Sequence, residues 1–210
     1  ATMARGNAAA EPTFGVSDLG PRPIHHRYAD PVDLIWLHAA ARLGMRVERS
    51  DAVFASWNGR DTLTLGTAAS FDADDSLAQL ILHEICHGLV EGTQGWSRPD
   101  WGLENTDERD LVREHACHRL QAALAGHAGL RSFFAVTTLY RPYYDALPVD
   151  PLTGTADPAV SIARTAWARS QQAPFEPVLS EALASTAAVA RAVRSAAPVD
   201  TLWATYAGVP

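Results

Sequence analysis

The chain has 210 residues, a formal net charge of −7, 47% apolar residues and 20% charged ones, which suits one domain with a full core or one domain with a helical extension. All 17 basic residues are arginine and they form no basic run, so neither nucleic acid nor an anionic membrane is an expected partner. No segment approaches the roughly 18–20 consecutive apolar residues of a spanning helix, so no membrane-crossing element is expected.

Residues 1–30 are rich in Pro, Gly and Ala and read as an extended or mobile arm. His25-His26 within it reads as a solvated loop pair, because adjacent side chains point apart. Pro31 follows Asp30 as an N1 proline after a cap, and a helix is expected over Val32 to Leu43, burying Ile35, Trp36, Ala39 and Leu43. Gly44 ends it. Met45 to Arg49 and Ala52 to Trp57 read as strands, Asn58-Gly59 as a hairpin turn, and Asp61 to Thr67 as a third strand.

The next segment contains His83-Glu84-Ile85-Cys86-His87, an H-E-x-x-H pattern. On a helix His83 and His87 share a face one turn apart and can offer two imidazoles to one metal ion. Glu84 lies about 100° round the helix, where it can hold a water without ligating the metal. That is the zinc-hydrolase arrangement, with Glu84 as general base and a third protein ligand from elsewhere. Asp72, Asp74, Asp75 and Ser76 supply caps and negative charge at the helix start. Leu77, Leu80, Ile81, Leu82, Leu89 and Val90 make the helix a buried one, and Gly88 and Gly92 loosen or end it. The competing reading is a pair of hydrogen-bonded core histidines.

Residues 93–104 form a loop with Trp96 and Trp101, which line a substrate pocket or plug the core. Asn105 with Glu108 reads as a capping box for a helix running to about Ala125. Cys86 and Cys117 fall on the two helices so defined. They can bridge them, but buried thiols in a reducing compartment are the expectation, which favours a cytoplasmic location. Residues 129–145 read as a helix interrupted near Pro142. Its cluster of Tyr140, Arg141, Tyr143 and Tyr144 offers donors for an oxyanion, with Tyr140 and Tyr144 the candidates. Residues 146–157 read as a Pro/Asp/Gly loop in which turn chemistry, rather than a cation, accounts for Asp150, Thr153 and Asp157. Helices are expected over about 158–171 and 177–196, and Leu202, Trp203 and Tyr206 should dock the tail.

Helix, small sheet, H-E-x-x-H helix and a second helix bearing Glu, in that order, resemble the minimal gluzincin metallopeptidases, among them the small ImmA/IrrE-like type, over roughly residues 31–126. The ligand helix of that family resembles E-x-x-A-x-x-F-A-x-x-L-L. Glu114, Cys117, Leu120, Gln121, Leu124 and Ala125 stand at matching positions, with Cys for the small residue, Leu for the aromatic and Gln121 a departure. The resemblance implies an α+β zincin-like fold: a small N-terminal sheet whose edge strand walls the cleft beside the H-E-x-x-H helix, then a mostly helical C-terminal subdomain. It divides the chain into the arm 1–30, a metallopeptidase core 31–126, and a helical subdomain 127–210 forming the other cleft wall. It implies Zn²⁺ on His83, His87 and Glu114, a peptide or protein substrate along the edge strand, and Glu84 as base. His118 and Glu108 compete with Glu114 as third ligand. Glu108 is already used as a cap, and His118 shares the Glu114 face at i, i+4. An apolar stripe of Val112, Ala116, Leu120 and Ala123 lies nearly opposite Glu114, so the Glu114 reading requires a helix buried on two sides. The competing function is a metal-binding regulatory or interaction protein that does not hydrolyse; a metal-free helical scaffold is a third possibility.

Overall fold

The structure is a computed structural model that describes residues 21–104 and 108–208. It is a mixed α+β chain with a three-stranded sheet and a helical C-terminal part. Among the described residues no helix is long and apolar enough to cross a membrane.

Helix α1 spans Pro31–Arg42. Asp30 caps it, its Oδ1 accepting from the Val32 N–H at 2.8 Å. Trp36 is fully buried, meets Phe134 edge-on at 5.2 Å, and donates its indole N–H to Thr186 at 3.0 Å. That bond ties the first helix to the last.

Strands β1 (Arg46–Arg49), β2 (Ala55–Trp57) and β3 (Thr62–Leu65) form a sheet in the order β1-β3-β2. β3 is central, parallel to β1 and antiparallel to β2, so Leu63 and Leu65 are buried and β2 is an edge. The 58–61 turn closes because the Asn58 side-chain oxygen accepts from the N–H groups of Arg60, Asp61 and Thr62. Gly59 (φ +75°) is required there twice over: the left-handed backbone, and a Cβ that would stand 2.7 Å from the Arg98 carbonyl carbon.

Helix α2 (Leu77–Glu91) carries the H-E-x-x-H stretch and is buried along almost its whole length. Ser76 is the cap that holds, accepting from Gln79 N–H. Gly88 stays inside the helix, with the Trp96 ring lying where its Cβ would be, and Gly92 ends it at φ +69°. The last carbonyls are not orphaned. Arg169 donates to those of Leu89 and Val90 at 2.7 and 3.0 Å.

A short helix α3 (Thr93–Trp96) leads to a 3₁₀ turn at Asp100–Gly102 and then to α4 (Glu108–His127). The Asn105 cap lies outside the described residues. α4 packs against α2 and α6, which also pack against each other, and both Glu114 and the opposite Ala116, Leu120 and Ala123 are buried, as the Glu114 reading required. The helix expected over 129–145 is not formed. Residues 131–134 make turns, and only α5 (Arg141–Asp145) is helical. Pro142 does not interrupt that helix; it stands in the first turn, where its missing N–H is an orphan anyway. α6 (Ala159–Ser170) and α7 (Phe175–Val193) follow the Pro/Asp/Gly loop. The tail docks: Trp203 tilts onto Phe133 at 4.8 Å, Tyr206 is buried, and Ala207 N–H donates to Gly129. One hydrophobic core joins α1, the sheet, α2, α4, α6 and α7, so apolar packing runs straight across residue 126.

Candidate metal centre

α2 and α4 are brought side by side by Ile85, Leu89, Ala116 and Leu120 of the core. Their polar groups then meet. His83 Nε2 lies 3.1 Å from His87 Nε2 and 3.4 Å from Glu114 Oε1, and His87 Nε2 lies 3.3 Å from Glu114 Oε2. Ligands about 2.0–2.1 Å from a tetrahedral zinc stand about 3.3 Å from one another. The three side chains converge at about that spacing, with a different Glu114 oxygen facing each histidine. His118, fully buried, approaches the same oxygen as His83, with Nε2 3.0 Å from Glu114 Oε1 but off the line of a hydrogen bond, and His83, Glu114 and His118 also form a ligand-like triad. Together His83, His87, Glu114 and His118 form a cluster that can hold a metal ion.

The group behind His83 fixes which nitrogen it offers. His83 Nδ1 donates to Gln121 Oε1 at 2.9 Å, and the Gln121 amide is itself oriented by donating to the Phe134 carbonyl at 2.6 Å. With Nδ1 so engaged, Nε2 is the nitrogen that His83 turns toward Glu114 and His87. Cys117 also belongs to a ligand-like triad with His83 and His87. Its Sγ, however, lies 3.6 Å from His83 Nδ1, the nitrogen facing away from Glu114, and 3.4 Å from the His83 carbonyl. It backs the histidine and does not share its ligand side. Both cysteines are free and buried; no bridge forms.

The field in the cluster favours a cation. Burial would push the His83 imidazole down, but the Glu114 hydrogen bond and charge, with Glu84, raise it to about 9. Burial lowers His87 and His118. Burial opposes ionisation of Glu114, yet the facing His87, with His118 and His83, holds its carboxyl far below the usual range. In the metal-free chain one proton thus rests on His83, where a bound cation would meet the same negative field.

Glu84 stands beside the cluster and acts on His83 and His87 through its charge. Its Oε2 accepts from the Trp101 indole at 2.8 Å. Glu84, His87, Trp101, Asp100, Leu103 and Glu104 line a cavity of about 390 Å³ together with Ala55 and Ser56 of β2. The edge strand and the H-E-x-x-H helix thus line one cavity. α6 and α7 do not line this cavity. α6 packs against α4 and α2, and α7 packs against α1 and α6. A larger cavity, about 500 Å³ between α4, α6 and α7, shares no residue with the cluster.

The tyrosines separate. Tyr140 lies with its ring 5.2 Å from that of His118, and burial and the Glu114 charge raise its phenol. Tyr144 points elsewhere: its hydroxyl donates to the Arg131 carbonyl at 2.8 Å, within a second core cluster with Ala122, Val136 and Leu147. The oxyanion role expected of it has no hydroxyl left to serve it. Tyr143 stacks on His115 at 3.7 Å and bonds Asp157. Asp150 accepts from the Leu152 N–H in a turn, and Asp157 pairs with Arg119. Glu108 begins α4 on the exposed side. His25 and His26 are exposed.

Sequence reasoning passed over Trp57, Trp101 as a partner of Glu84, and Gln121. The signal for Gln121 was present: an amide one turn from a candidate ligand, in a buried helix, needs a partner. No protein-family model matches the chain, and neither a curated protein nor a solved structure matches it.

Proposed function

We propose that the protein is a zinc-dependent metallopeptidase. The observation that carries this reading is the convergence of His83, His87 and Glu114 at 3.1–3.4 Å beside a cavity lined by Glu84 and His87. His83, His87 and Glu114 would hold the ion. Zinc there supplies a Lewis acid for a carbonyl and brings the pKa of water toward about 7. Glu84 takes a proton at its carboxylate and returns it to the leaving amine. Tyr140, the tyrosine nearest the cluster, is the candidate oxyanion donor. Substrate is an extended peptide or protein segment beside β2.

A second reading has one observation in its favour. His118 also converges on Glu114. With four protein ligands the site would be closed, as structural zinc sites are, and the protein would be a metal-binding regulatory or interaction protein. The experiment is hydrolysis of an unfolded protein and a peptide library by zinc-loaded protein. Glu84→Gln should keep stoichiometric zinc and lose activity by about 10²-fold or more. Stoichiometric zinc with no hydrolysis under any condition would favour the closed site; no zinc at all would sink both.

A further inference from the structure

Three tryptophans pack together under the sheet. Trp57 and Trp101 stack at 4.9 Å with planes 4° apart, and Trp96 meets both edge-on. A buried indole needs an acceptor. Trp57 uses the Trp96 carbonyl and Trp96 uses the Gly88 carbonyl. Trp101 alone of the three uses an ionisable side chain, Glu84, at 2.8 Å. Both partners are buried, at 3% and 7% exposure.

The backbone that delivers Trp101 is strained. Asp100 and Trp101 have φ of +46° and +61°, a left-handed conformation that is rare for any residue but glycine and an outlier for a bulky one. Such strain persists only when the surroundings over-determine it. Here they do. Asp100 Oδ1 accepts from the Trp57 N–H at 3.0 Å and the Ser56 hydroxyl at 2.9 Å, fastening the loop to β2. The stack on Trp57 sets the indole plane. The Glu84 bond is what this conformation reaches, and Glu84 Oε1 has no protein hydrogen-bond partner among the described residues.

We propose that Trp101 is a positioning residue that fixes the Glu84 carboxylate, occupying Oε2 so that Oε1 is the oxygen that exchanges the proton. The proposal rests on the metallopeptidase reading. It gives the strained 99–102 turn a purpose beyond packing the stack on Trp57, that of bringing the indole N–H to Glu84 Oε2.

The test uses the full chain with Trp101→Phe and with Trp101 replaced by benzothienylalanine, which keeps the bicyclic shape and lacks only the N–H. Zinc affinity and KM should be unchanged in both, and kcat should fall about tenfold or more. A purely structural role predicts a fall for Phe and none for the shape-preserving analogue. A second readout needs no activity. Infrared difference spectra of metal-free protein against Glu84→Gln isolate the Glu84 carboxylate bands, and these should move in the benzothienylalanine variant. Unmoved bands, or an undiminished kcat in that variant, would overturn the proposal. If the wild type hydrolyses nothing, the metallopeptidase reading fails by itself, and the bands still decide whether Trp101 holds Glu84.

Discussion

Helices α2 and α4 are both buried and lie side by side, yet they are buried on opposite terms. α2 is mostly apolar, and its buried polar groups are few: His83, Glu84 and His87 in one five-residue stretch, with Gln79 before them and the Glu91 side chain at the helix end. α4 is polar in composition and buries Asp110, Glu114, His118, Arg119 and Gln121 over three turns. Apolar area holds α2 in place. Polar groups on α4 other than His118 answer to specific partners: Asp110 accepts from the Glu104 N–H at 2.8 Å, Arg119 pairs with Asp157 at 2.8 Å, and Gln121 links His83 to Phe134. The lesson is that a metal site needs one helix that would be buried anyway and one whose burial depends on being matched. Breaking the match on α4 should then reveal which of its partners serve the ion and which serve the fold.

The largest effects are expected where the two helices meet. His83→Ala or His87→Ala should abolish zinc binding, because a site of three protein ligands cannot lose an imidazole; full occupancy in either, by elemental analysis, would falsify the site. Next come Glu114→Ala and His118→Ala, which separate α4's ligand from its neighbour. Glu114→Ala removes the only carboxylate among the three converging side chains and should cost far more affinity than His118→Ala, whose penalty should stay within roughly 10- to 100-fold. Chelator competition measures both. The reverse order, with metal lost in His118→Ala and kept in Glu114→Ala, would transfer the third-ligand role and remove the gluzincin resemblance.

This contrast also explains what could be read in advance. Period and caps were enough for α1, α2 and the hairpin, since Asp30, Ser76 and Asn58 each act within four residues of themselves. The H-E-x-x-H face was legible for the same reason. Glu114 was chosen over His118 and Glu108 through a family pattern, and only packing shows that Glu114 lies between both histidines. What local reasoning could not reach is pairing over distance. Tyr144 looked like an oxyanion donor because it sits in a tyrosine cluster, but which way each ring turns is set by Arg131 and Asp157, 13 and 14 residues from their partners. The segment before it carried a helical pattern, yet Phe133 and Phe134 are drawn into the core by Trp203 and Trp36 and the chain turns instead.

Gln121→Leu sharpens the comparison further. It leaves the ligands untouched but removes the acceptor that holds His83 Nδ1–H, so the imidazole loses its fixed tautomer. Zinc affinity should drop about 10-fold, up to about 100-fold, with the fold retained. Gln121→Glu keeps an acceptor and should bind at least as tightly as the wild type. If both variants bind zinc like the wild type, Gln121 is a packing residue and its contact with His83 is incidental.

The smallest effect tests the other side of α4. Arg119 is buried, and its guanidinium holds the 151–157 loop through the Pro151 carbonyl and the Asp157 carboxylate. Partial burial would raise the Asp157 carboxyl, but bonds from Tyr143, the Ala159 N–H and Arg119 hold it below its usual value. A carboxyl lowered on folding stabilises above its unfolded pKa, near 4, and that stability is lost as pH falls through the folded value. Asp157→Asn should therefore cost about 1 kcal/mol at neutral pH and progressively less in acid, because the wild type protonates the same group. Its zinc affinity should match the wild type at every pH where both are folded, since His83, His87 and Glu114 are not part of this network. Denaturant melts at a neutral and an acidic pH, with chelator competition alongside, separate the two roles. A loss of zinc affinity in Asp157→Asn would mean that the two faces of α4 are coupled, and that the helix, rather than its individual side chains, is what the metal site requires.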